Sequence, residues 1–206
     1  MKQAIVLGLI GVSSLTGSGT CVAQVYLSGN MGMVAGSDSE INDPNLAPMG
    51  LTHAEVSSEN GYGVSLAFGS DFAPVRIEGE ISYRKNDLDT FSGRTSNTSV
   101  TFPVDGHIEA LSLLGNCILD IHASRAFVPF LGFGLGAARL DVQRGDVSAD
   151  DIVPAYQMML GAALKISEST SLELSYRYFA TADPDFNNSE MEYASHNIMA
   201  GVRTHF

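Results

Sequence analysis

The chain has 206 residues and carries 23 acidic against 11 basic side chains, for a formal net charge of -12. That length suits one domain with a full set of strands and leaves no room for two comfortable ones. The acidic balance, without a cluster of Lys and Arg anywhere, argues against a nucleic-acid partner, which would need cations to displace counterions from phosphates.

The N-terminus reads Met1, Lys2, an apolar run from Ala4 to Val12, and small residues ending in TCVAQ. A short positive start, an apolar stretch and a small-x-small site predict a secretory signal over 1–23, cleaved after Ala23. Gly8, Gly11, Gly17 and Gly19 interrupt the run and speak against a first helix of the folded domain. The mature chain is then 24–206. Cys21 leaves with the signal, so only Cys117 remains and no internal disulfide is expected. A lipoprotein reading of Cys21 is poor, because Ser18, Gly19 and Thr20 precede it. The mature chain has no apolar run of about 18 residues, which excludes a helical membrane span.

Eight segments alternate with period two, the pattern of a strand whose two faces meet different surroundings. Val25 to Val34 sets Val25, Leu27, Met31 and Met33 against Tyr26, Ser28, Asn30 and Gly32. Gly61 to Gly69 sets Tyr62, Val64, Leu66 and Phe68 against glycine, serine and alanine. The third, VRIEGEISYRK from Val75, puts Ile77, Ile81 and Tyr83 on one parity and Arg76, Glu78, Glu80 and Arg84 on the other. Ile108 to Asp120 opposes Leu111, Leu113, Cys117 and Leu119 to Ser112, Asn116 and Asp120. Phe127 to Leu140 opposes Leu131, Phe133 and Leu135 to glycines, and Ala155 to Ile166 opposes Met158, Leu160 and Leu164 to Gln157, Gly161 and Lys165. Ser171 to Phe179 and His196 to Phe206 close the set, with Glu173, Arg177 and Arg203 on their polar parity.

The third strand raises the question of which face is inside. A soluble sandwich would bury the apolar parity, whereas a membrane barrel turns it to lipid. Two features decide for the barrel. Connections after the second, fourth and sixth strands are short (GSDFAP, DIHASRA, SEST), while those at about 35–60, 85–106, 141–152 and 180–194 are long. Sorting of this kind predicts short periplasmic turns and four long extracellular loops. The polar parity, moreover, mixes glycine and alanine with Arg76, Glu78, Glu80, Arg84, Asp120, Lys165, Glu173, Arg177 and Arg203. In a narrow lumen these nine side chains would form one ion-pair network, with small residues where bulk cannot fit. Tyr26 and Phe179 break the rule by falling on the luminal parity near strand ends. The expected fold is an all-β, eight-stranded antiparallel up-and-down transmembrane barrel.

The blocks FVPFLGFGLGAARL, AYQMMLGAALKISESTSLELSYRYF and NIMAGVRTHF resemble the small outer-membrane β-barrel proteins, a family that includes opacity-type surface antigens and the OmpA transmembrane domain. The resemblance covers the mature chain and implies a bacterial outer-membrane location. It also implies that GVRTHF, through Gly201 and the terminal Phe206, is the signal read by the barrel-assembly machinery, although Thr204 stands where an aromatic is usual. No peptidoglycan-binding domain of the OmpA type is expected after Phe206. Members of the family serve as surface antigens, adhesins or structural barrels, so the family alone does not fix the function.

Catalysis finds no support in the residues. Ser195 and His196 are consecutive, so on a strand they face opposite ways and cannot form a dyad. His53, His107, His122 and His205 have no Ser and acid at informative spacing. Paired luminal charges favour a structural plug over a pore. Asp87 and Asp89, Asp150 and Asp151, and Asp183 and Asp185 offer oxygen ligands without the spacing of a defined cation loop, so no metal or cofactor is expected. Asn97 and Asn188 match glycosylation acceptors that have little meaning in a bacterium. The function expected is that of a surface protein, antigen or adhesin, working through its loops. A small-solute porin is the alternative, and a lipid-A-modifying enzyme the least favoured reading. Expected partners are outer-membrane lipid and lipopolysaccharide, the assembly machinery, and a host or cell-surface ligand at the loops.

Overall fold

The structure, a computed structural model, describes residues 24–36, 39–40, 51–58, 60–95, 99–121, 126–144, 147–182, 185–186, 189–190 and 193–206. The expected signal at 1–23 lies outside the described residues, as do Asn97, His122, Asp183 and Asn188.

The described residues form strands and no helix. In chain order these are β1 (Gln24–Gly36), β2 (Ser39–Glu40), β3 (Leu51–Ser58), β4 (Asn60–Asp71), β5 (Val75–Thr95) and β6 (Ser99–Asp120), followed by β7 (Phe127–Arg144), β8 (Val147–Lys165), β9 (Thr170–Thr181), β10 (Asp185–Phe186), β11 (Ser189–Glu190) and β12 (Ala194–His205). Each strand of the wall pairs antiparallel with its neighbours in the order β5-β4-β1-β12-β9-β8-β7-β6, and β6 returns to β5. The result is a closed barrel of eight strands with no open sheet edge in its wall.

Burial answers the question of faces. Met31 is 68% exposed and Leu113 67%, whereas Arg76 is 1% and Glu80 0% exposed. The apolar parity is therefore the outer surface and the charged parity fills the inside, the reverse of a soluble fold. Tyr26 and Phe179 are both fully buried within the lumen.

The two ends of the barrel differ. At one end the connections are tight: Phe72 N–H donates to the Val75 carbonyl at 2.8 Å, and Asp71 Oδ1 accepts from Ala73 N–H at 2.9 Å. The first and last strands of the wall meet there, Tyr26 opposite His205, with Phe206 N–H donating to the Val25 carbonyl at 3.0 Å. At the other end several strands run on. β5 and β6 stay paired from Lys85↔Glu109 up to Arg94↔Ser99, across one irregularity between Leu88 and Thr90. β7 and β8 stay paired to Arg144↔Val147, and β3 extends β4 by pairing with the upper part of β5. Much of what alternation alone marks as loop at 85–106 and 141–152 is thus raised hairpin. Past the membrane band neither face has to be apolar, so the period-two signal lapses while backbone pairing continues.

Outward aromatics mark the upper limit of that band. Tyr62 lies 6.3 Å from Tyr83, Tyr156 6.2 Å from Tyr178, and Tyr178 5.3 Å from His196, whose Nδ1 is 2.6 Å from the Tyr176 hydroxyl. Just above them come charges, Lys85 with Glu109 at 3.0 Å and Arg139 with Asp150 at 3.1 Å. Phe72, Phe127 and Phe206 are exposed at the opposite end. Amphipathic rings at the two interfaces and apolar side chains between them are the pattern of a membrane-spanning wall.

Candidate functional site

The luminal side chains stack in layers from the short-turn end upward. In the lowest layer Arg76 grips Asp120 through Nε at 3.1 and 3.0 Å and through Nη2 at 2.9 Å, a bidentate pair of the strong kind. Glu173 sits between two cations, 3.1 Å from Arg203 Nη1 and 3.8 Å from Arg76 Nη1. The Tyr26 ring stacks under both guanidinium groups, each 5.6 Å from its centroid, and Phe130 faces Arg76 at 5.3 Å.

The middle layer is anionic and amide-rich. The Tyr26 hydroxyl donates to Glu78 at 2.7 Å, and Asn116 Nδ2 donates to Glu78 at 2.9 Å and to Glu80 at 3.3 Å. Glu80 also accepts from Gln157 Nε2 at 3.3 Å and from Arg177 Nη1 at 2.7 Å. Above it Arg84 donates to Ser82 at 2.7 Å, Ser112 at 3.1 Å and Gln157 at 3.4 Å, with its guanidinium 4.0 Å over the Phe179 ring. Each charge buried here is met by an opposite charge, a hydrogen bond or an aromatic face, which is what holding it away from water requires.

The uppermost layer is apolar. Ile108, Leu114, Leu140, Val153, Phe179 and Tyr193 pack as one buried cluster across the lumen. Tyr193, just before β12, is tied down by its hydroxyl, which donates to Asn86 Oδ1 at 3.1 Å, while Asn86 Nδ2 donates to the Val34 carbonyl at 3.0 Å. Charged side chains occupy the lower lumen and this apolar cluster the upper one.

Of the nine residues expected in the lumen, eight come together there: Arg76, Glu78, Glu80, Arg84, Asp120, Glu173, Arg177 and Arg203 are all buried. Lys165 does not join them. It has the right parity but is the last residue of β8, at the rim, where it is exposed and makes no ion pair among the described residues. It lines a small pocket of about 80 Å³ at the short-turn mouth with Asp71, Arg203 and His205. Arg84 and Glu78 are buried as expected, yet Arg84 has no carboxylate and Glu78 no cation at ion-pair distance among the described residues; amides, hydroxyls and a ring serve instead.

Asn116 and Gln157 bridge the two halves of the network, with Gln157 Nε2 donating to Asn116 Oδ1 at 2.9 Å. Their polar parity was visible in the sequence, but neutral amides carry no pattern that marks them as bridges. Asn86 and Tyr193 lie beyond the clear alternation and gave no signal. Gly201 has a local reason: a Cβ there would collide with the Asn30 side chain and the Gly29 carbonyl. Ser195 is fully buried and His196 exposed, on opposite faces. Asp150 is held by Arg139, and Asp151 Oδ1 accepts from Ile152 N–H at 2.8 Å. Among the described residues no group of three or more acidic, His or Cys side chains is arranged to hold a metal ion.

Known proteins support the same architecture. The family model for the outer membrane protein beta-barrel domain matches residues 4–206. No curated protein sequence matches the chain. Neisserial surface protein A (NspA) superposes with a TM-score of 0.57 at 15% identity, over 88% of this chain and 97% of its own. The outer membrane protein AlkL, in lipid bilayers, gives 0.53 at 16% identity over 100% and 97%, and the outer membrane protease OmpT of Escherichia coli gives 0.51 at 10% identity over 94% and 100%. At such identities the likeness is one of fold. Together with the match along nearly its whole length, a closed barrel with an apolar exterior and a charged interior means that the chain belongs to the outer membrane protein beta-barrel domain family and is an eight-stranded barrel of the bacterial outer membrane.

Proposed function

We propose that this barrel is a structural and interaction protein of the cell surface, an antigen or adhesin, and that it acts through the hairpins raised above its rim rather than through its lumen. The observation that carries the reading is the filled interior: four buried arginines and four buried carboxylates below, and the Tyr193 lid above. An eight-stranded barrel has an interior just wide enough for side chains, and here they occupy it in layers. A porin would need a continuous wet path, and catalysis would need a nucleophile and base in reach of each other. The raised pairs β5–β6 and β7–β8, by contrast, place chain beyond the aromatic girdle, where a barrel needs none for its own closure.

In this reading the long-connection end faces the exterior and the short turns the periplasm, the usual asymmetry of such barrels. Gly201 and Phe206 serve the assembly machinery during insertion, lipid and lipopolysaccharide surround the wall, and a host or cell-surface ligand meets the hairpins. Nucleic acid is no partner of so acidic a chain. The test is to replace residues 36–58 and 88–104 together by short turns, since β3 and upper β5 pair with each other. The trimmed protein should remain a folded, heat-modifiable barrel while losing antibody recognition or surface adhesion. Should it keep every binding activity of the parent, the hairpins are not the interaction surface.

A further inference from the structure

The four long connections leave the barrel between β1 and β4, β5 and β6, β7 and β8, and β9 and β12. Inside the mouth, one side chain is linked to the base of each. Tyr193 stands at the end of the fourth connection, just before β12, where its carbonyl accepts from Thr181 N–H at 3.0 Å. Its ring belongs to the buried cluster that holds Ile108 of β6, Leu140 of β7, Val153 of β8 and Phe179 of β9, and it meets the Phe179 ring edge-on at 6.1 Å. Its hydroxyl reaches the remaining base. It donates to Asn86 Oδ1 of β5 at 3.1 Å, and Asn86 Nδ2 donates in turn to the Val34 carbonyl of β1 at 3.0 Å.

Closure of the wall does not require these bonds. The backbone ladders already join β5 to β4, β4 to β1, β1 to β12 and β12 to β9. β1 and β5 are not neighbours, so the Asn86 side chain has to cross β4 on its luminal side. Glycines leave the space: a Cβ at Gly61 would collide with the Lys85 carbonyl, and one at Gly63 would come within 2.9 Å of Val34 Cγ2. Val34 and Asn86 are wholly buried and Tyr193 nearly so. Away from water, a broken bond in this chain leaves a polar group unsatisfied, so each link holds the next in place.

We propose that Tyr193 is the positioning residue of the outer surface: through its ring and through Asn86 it ties together the bases of all four long connections, so that they meet a partner as one composite face. This rests on the reading that the raised end is the interaction surface. It adds that the connections are not independent. Displacing one of them at its base disturbs a bond or a ring contact that holds another, although Val34, Asn86 and Tyr193 are 52 and 107 positions apart in sequence.

Hydrogen exchange of the full-length barrel in nanodiscs, read by mass spectrometry, tests the coupling with no partner present, so its outcome is separate from that of the trimming experiment. Tyr193→Phe removes the hydroxyl and keeps the ring, and Asn86→Leu removes the polar bridge. Thr181→Val is the control on the same connection, since the Thr181 hydroxyl donates to the Tyr193 carbonyl at 3.4 Å. Heat-shifted gel mobility checks that each variant is folded. Tyr193→Phe should speed exchange about tenfold at residues 33–36, which Tyr193 reaches only through Asn86, and Asn86→Leu should do the same at 193–196. Thr181→Val should quicken exchange only around 181–194. The proposal is overturned if Tyr193→Phe leaves residues 33–36 at the parent's rate, or if Thr181→Val raises that rate as much. Should Tyr193→Phe fail to fold, the rate at 193–196 in Asn86→Leu decides in the same way.

Discussion

Arg177 Nη1 lies 2.7 Å from Glu80 Oε2 at the centre of the barrel, between β9 and β5, which do not touch in the wall. The two residues are 97 positions apart in sequence and nearly or wholly shut off from solvent. The pair spans the lumen as a strut.

Glu80→Ala should therefore be costly. It strands Arg177 in the lumen and removes acceptors from Asn116 and Gln157 as well. Breaking a buried pair from one side costs about 3 to 5 kcal/mol, so the urea midpoint of the refolded barrel should fall and the gel shift should occur at lower temperature.

Arg84→Met gives a contrasting case. Arg84 touches hydroxyls, an amide and the Phe179 ring, and its loss leaves no carboxylate unpaired at contact distance. The expected cost is about 1 to 3 kcal/mol, smaller than that of Glu80→Ala in the same unfolding assay. Equal losses would mean that Arg84 and Glu80 act as one electrostatic unit.

The glycines separate by face. A Cβ at Gly79 meets nothing within 4 Å, so Gly79→Ala on the lipid side should change stability by no more than about 0.5 kcal/mol. At Gly134 it would collide with the Asn116 side chain and come within 3.0 Å of Gln157 Cγ, so Gly134→Ala should cost about 1 to 3 kcal/mol by disturbing the amide bridge. Both effects are read from unfolding midpoints in lipid.

How much of this could be read from the chain follows from where patterns are enforced. Ile77 and Ile81 opposite Arg76, Glu78 and Glu80 revealed a wall with lipid on one side, because any slip of register would expose charge to hydrocarbon. Of the nine charges that the same parity assigns to the lumen, eight lie there. Lys165 was misread because parity tells which way a side chain points and not whether the strand has already left the lumen. Leu114, Ile118, Phe130 and Met159 line the interior too, although the alternation alone assigned apolar residues to the outside. A closed barrel admits both kinds inward wherever the neighbours fit. The raised hairpins escaped because strands above the membrane keep their pairing without keeping the period.

Orientation can be read on whole cells. In a Cys117→Ala background, cysteines at Ser39 and Ser189 should react with an impermeant maleimide, while one at Ser169, in the turn whose carbonyl accepts from His205 N–H at 2.8 Å, should stay unlabelled until the outer membrane is opened. Labelling of Ser169 without the other two would turn the barrel over and move the interaction surface to the periplasm.

The central claim is that the lumen is a plug and the raised end does the work. Its most direct test is the current carried by the purified barrel in a planar lipid bilayer. Arg76, Arg84, Arg177 and Arg203 with their partners, closed above by Tyr193, predict a flat trace at any moderate voltage, and Tyr193→Ala should leave it flat because the charged layers below remain. Steady, discrete conductance steps from the unmodified protein would contradict the account and make it a channel.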